Sequence, residues 1–154
     1  VWAPRGIKVR QRRLIVYEWT YLAIGVDGIR GKLHWVWLPN MKKEPMAAAV
    51  GFWGSEGVDA IVWDGASSHR AHMVREVGVP LIGLPAGSPE LNPAERVIEE
   101  IRGRIEGRVY ENLEAKRAAA EAVMEKLAAD PEGIRRLAGW GWLREADVQL
   151  AGIE

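Results

Sequence analysis

Cysteine is missing altogether from this chain. That excludes structural disulfides, thiolate-ligated zinc and a cysteine nucleophile. Equally missing is an apolar run near the ~20 residues that cross a bilayer, and no signal-peptide pattern is visible. The expected location is the cytoplasm, with no membrane partner. Net charge is missing too: 21 acidic and 21 basic residues cancel, which argues against a strong free-standing nucleic-acid binder. Neither a Gly-rich phosphate loop, nor a nucleophile elbow, nor zinc-ligand spacing occurs. No internal repeat and no low-complexity segment breaks the chain.

What is present suits one compact domain with a real core: 154 residues, 48% of them hydrophobic and 27% charged. The charge is unevenly placed. Arg5, Lys8, Arg10, Arg12 and Arg13 precede the first acid. This basic segment over residues 1–13 is either a solvated terminus or a stretch that contacts phosphates.

Residues 14–26 are rich in β-branched and aromatic side chains and read as a long strand. Asp27-Gly28-Ile29-Arg30-Gly31 reads as a hairpin loop, and residues 32–38 return as a second strand. There Leu33, Trp35 and Trp37 alternate with Lys32, His34 and Val36, so one face is the more apolar. Pro45 suits the start of a helix with Met46, Ala49, Val50 and Trp53 on one face. Residues 58–63 and 79–84 are short apolar runs between turn signals, as buried strands are, the first suiting a parallel sheet. One or two helical turns are expected over 70–77.

Asn92-Pro93-Ala94-Glu95 has the form of a helix start, with Asn as N-cap, Pro at N1 and Glu at N3. Val97, Ile98, Ile101 and Ile105 then recur at helical spacing, and Gly107 ends the run. Asn112 caps a further helix to about Ala129, and Asp130-Pro131 starts a last short one with Ile134 and Leu137. Trp140, Trp142 and Leu143 add apolar surface. The order predicts an α/β domain with a mixed sheet and a helical part over residues 111–154.

Asp64 ends a predicted buried strand, and ligands of open α/β sheets gather beyond the carboxyl ends of such strands. An aspartate after three apolar residues must be solvated, paired or metal-bound; the alternative is a turn aspartate bonding its own backbone. For Glu95 the alternative is plain capping. If both carboxylates lie at one edge of the sheet, two hard oxygen donors with open positions suit magnesium or manganese. Paired ions of that kind clamp the attacking and leaving oxygens of a phosphoryl transfer. His69, on the loop leaving the strand, either orients a water or touches a phosphate, or is a surface hydrogen-bonder. His72 and His34 are weaker candidates.

Trp63-Asp64-Gly65-Ala66-Ser67-Ser68-His69 followed by Leu84-Pro85-Ala86-Gly87-Ser88-Pro89-Glu90-Leu91-Asn92-Pro93-Ala94-Glu95 resembles the DDE transposases of bacterial insertion sequences related to the mariner elements. Trp2-Ala3-Pro4-Arg5-Gly6 and Tyr17-Glu18-Trp19-Thr20-Tyr21-Leu22 resemble further segments of that family, so the likeness weakens only after about Leu127. The resemblance implies an RNase H-like fold and a metal-dependent enzyme that nicks DNA at transposon ends and joins the 3′ hydroxyl to target DNA. It implies Mg2+ or Mn2+ held by Asp64 and Glu95 as second and third acids of the triad, with His69 beside them. DNA would be the partner, contacted through Arg5, Lys8, Arg10, Arg12 and Arg13, and no small-molecule substrate is implied.

The chain departs from that pattern in one respect. The family's first acid lies on its first strand, upstream of the Trp-Ala-Pro-Arg-Gly segment, and here Val1 stands one residue before that segment. The expectation is therefore a partial catalytic domain lacking its usual first strand, its first aspartate and the helix-turn-helix modules. Asp27 and Glu18 are the acids nearest to substitutes: the first is expected in turn chemistry at the far end of its strand, the second has no motif support. Open strand edges beside a missing strand predict a homodimer or a folded-back N-terminal segment. Two functions remain open: an enzyme of strand transfer, or a non-catalytic remnant that dimerises or binds DNA weakly and interferes with an intact transposase.

Overall fold

A computed structural model of the chain describes residues 18–63, 72–85, 87–88 and 91–145. Its elements run β1 (Tyr21–Asp27), β2 (Lys32–Leu38), α1 (Lys43–Ser55), β3 (Ile61–Trp63), α2 (His72–Arg75), β4 (Leu81–Gly83), α3 (Ala94–Ile105), α4 (Leu113–Ala128) and α5 (Pro131–Ala138). A further helical turn covers residues 141–145. The chain is thus mixed α/β, with helices dominating its second half.

β1 and β2 form an antiparallel hairpin in the register Leu22↔Trp37, Ile24↔Trp35, Val26↔Leu33. Because side chains alternate across a strand, these six point to one face. There they pack with Val97 and Ile101 of α3, Ala120, Met124 and Leu127 of α4, and Ile134 and Ala138 of α5. The helices bring complementary stripes to this face: Val97, Met124 and Ile134 are fully buried. Trp37 also fastens α4 through polar contacts. Its indole Nε1–H donates to Glu121 at 2.9 Å, and the Arg117 guanidinium lies 4.8 Å from its ring centroid, in cation–π range.

The opposite face of the hairpin is covered as well. Ala23, Val36 and Leu38 meet Met46, Ala49, Val50 and Trp53 of α1, the four positions predicted to face inward. The same cluster continues to Val58, Ile61, Trp63, Val74 and Leu81, so α1 ties the hairpin to β3 and β4.

The hairpin tip is clamped to α5. Asp27 Oδ1 accepts the backbone N–H groups of Ile29 and Arg30 at 3.0 and 2.8 Å, and Asp27 Oδ2 pairs with the Arg30 guanidinium at 3.2 Å. Arg135 of α5 donates to the Arg30 carbonyl at 3.1 Å. Gly31 has φ +70, and a side chain there would run into the Pro131 carbonyl; one at Gly28 would run into that of Ala138. Only glycine tolerates both the left-handed backbone and so close an approach.

Three expectations need correction. The strands do not form one mixed sheet: among the described residues, β1–β2 and the parallel pair β3–β4 are separate two-stranded sheets. The long first strand begins at Tyr21, with Glu18, Trp19 and Thr20 outside it and residues 14–17 outside the described residues. β-propensity is a weak prior without a pairing partner. The strands expected to be buried are three residues each, and Val62 and Ile82, facing one another in register, are 43% and 51% exposed. Their inner neighbours Ile61, Trp63 and Leu81 rest on α1, but the cluster of α3, α4 and α5 includes no residue of β3 or β4.

Candidate metal-binding edge

β3 and β4 run parallel in the register Ile61↔Leu81, Val62↔Ile82, Trp63↔Gly83. Ile61 N–H donates to the Pro80 carbonyl at 2.9 Å and Leu84 N–H to that of Trp63 at 2.8 Å. The carboxyl ends of both strands therefore emerge side by side, the edge at which ligands collect in open α/β sheets. Asp64 follows Trp63 directly but lies, with His69, outside the described residues. So do Arg5, Lys8, Arg10, Arg12 and Arg13.

From β4 the chain turns, with Leu91 N–H on the Ser88 carbonyl at 3.1 Å, and enters α3. Asn92 organises that entry. Its Oδ1 accepts the Ala94 N–H at 3.1 Å, and its backbone carbonyl accepts the Glu95 N–H at 3.1 Å. Two of the amides left without partners at a helix start are thereby satisfied by one residue. Val97 and Ile101 bury the underside of α3 and set its rotation.

Glu95 sits half-buried on the first turn. The other acids of α3 are each matched with an arginine of the same helix. Glu99 pairs with Arg96 at 3.3 Å and Glu100 with Arg104 at 2.6 Å, and Glu106, just past the helix end, lies 3.9 Å from Arg102. Among the described residues, the Glu95 carboxylate alone in α3 has neither a hydrogen bond nor an ion pair. The reciprocal bond of a capping box, from the N3 carboxylate to the N-cap amide, is not made. The helix starts at Ala94 with Pro93 at its N-cap, one residue later than expected, which puts Glu95 at N2 rather than N3.

Asp27, Glu18 and His34 belong to the β1–β2 hairpin and its approach. Both carboxylate oxygens of Asp27 are engaged in its own turn. Burial pushes its pKa up, but the Arg30 and Ile29 amides and the Arg30 guanidinium outweigh this and hold it below the ordinary carboxylate range. Glu18 is exposed, three residues ahead of β1. His34 Nδ1 lies 3.3 Å from the Glu56 carboxylate at the end of α1. His72 is the first residue of α2. Among the described residues, no group of three or more His, Asp or Glu side chains gathers closely enough to hold a metal ion. Among the described residues, the first turn of α3 thus carries one hard carboxylate without a partner, of the class that magnesium and manganese take.

Neither a scan against protein-family models nor a search of the curated proteins returns a match for this chain. Sequence reasoning identified Glu95 and Asn92 by position. It set the N-cap one residue early, at Asn92 instead of Pro93, because helix boundaries are the part that spacing defines least.

Proposed function

We propose that the chain is the metal-binding part of a DDE-type transposase catalytic domain, built on an RNase H-like plan. The observation that carries this reading is the unpaired Glu95 carboxylate, held at the helix start that follows the parallel pair β3–β4. Asp64, joined to the last residue of β3, supplies the second acid. Asp64 and Glu95 would hold Mg2+ or Mn2+. When bound, the ion supplies Lewis-acid stabilisation of the attacking and leaving oxygens at a DNA phosphodiester. His69 contributes a donor toward a phosphate or water. Arg5, Lys8, Arg10, Arg12 and Arg13 neutralise backbone phosphates of transposon-end or target DNA.

The separation of the strands into two sheets favours a second reading. A two-stranded sheet is marginal alone, and among the described residues each pair has strand edges without a ladder partner. In this reading the chain is a non-catalytic remnant that dimerises through those edges or binds DNA weakly.

Titration calorimetry with Mn2+ tests the shared premise. Wild type binds, and Asp64→Asn and Glu95→Gln each weaken binding at least tenfold; equal binding by all three would overturn the site. Incubation of a labelled duplex with Mn2+ then separates the readings. Nicking that Asp64→Asn abolishes supports the enzyme, whereas Mn2+ binding without nicking, together with a dimer mass by light scattering, supports the remnant.

A further inference from the structure

We draw no further inference here: the strongest candidate, the exposed apolar patch formed by Val62 and Ile82 on one face of the β3–β4 pair, carries nothing because nothing in the structure shows what covers it.

Discussion

The two small sheets differ in how they are covered. The β1–β2 hairpin lies between two helical layers, with α3, α4 and α5 on one face and α1 on the other. Its turn is bolted to α5 by two glycine approaches and an arginine. Among the described residues, the β3–β4 pair rests on α1 by one face, and Val62 and Ile82 on the other are 43% and 51% exposed. Stability is therefore concentrated away from the edge proposed to hold the metal. Local opening draws on regions with few buried apolar contacts, so β3–β4 is expected to exchange its amide hydrogens well before the hairpin.

The largest expected effect tests that division by volume. Met124 is fully exposure-free at the centre of the hairpin's covered face. Met124→Ala leaves a cavity among α3, α4, α5 and β2, and should cost about 2–5 kcal/mol. Ile82→Ala removes a larger apolar side chain than many core residues carry, yet from an open face, and should change stability by no more than about 0.5 kcal/mol. Urea denaturation of the two variants checks the contrast; similar midpoints would mean that the open face is covered after all.

Next in size is the clamp between the hairpin tip and α5. Gly31→Ala forces a side chain into a left-handed backbone and into the Pro131 carbonyl. The strain alone is worth about 1–2 kcal/mol, and relief requires α5 to lift. The matched change Gly57→Ala has the same backbone strain, at φ +86, with nothing near the added carbon. The difference between the two melting temperatures isolates the clamp. Equal losses would show that α5 yields freely.

Local patterning was legible wherever one helix or strand met one apolar partner. The spacing of Met46, Ala49, Val50 and Trp53 fixed the buried face of α1, the alternation of Leu33, Trp35 and Trp37 fixed that of β2, and Asn112 and Asp130 cap α4 and α5 with their side chains as expected. Pairing was not legible. Val62 and Ile82 carry the same apolar signal whether a helix covers them or solvent does, since burial depends on elements distant in sequence. Residues 18–20 belong to a stretch with strand propensity but lie outside the strand, which begins at Tyr21, where Leu38 provides a ladder partner. At the proposed site, Asn92 and Glu95 could be placed on one helix start from spacing alone. The helix boundary could not: its N-cap is Pro93, one residue later than the spacing set it.

The smallest effect separates the two regions by pH. The carboxyl of Asp27 is held below its ordinary range by the Ile29 and Arg30 amides and the Arg30 guanidinium, against the opposing push of burial. A depressed folded-state pKa contributes stability that is fully present above the unfolded value, about 3.9 for aspartate. That contribution is lost progressively as pH falls through the lower folded value. Asp27→Asn keeps an oxygen that can accept the two amides but cannot titrate, and it loses the ion pair. Urea midpoints for wild type and Asp27→Asn should therefore differ modestly at pH 7 and converge as pH falls below about 4, with the wild-type curve the steeper. Hydrogen exchange locates the effect: acid should loosen the hairpin turn and its contact with α5 in wild type, leaving the difference between wild type and variant at β3–β4 unchanged. Curves that stay parallel down to pH 2.5 would show that the Asp27 turn is not where the hairpin gains its acid-sensitive stability.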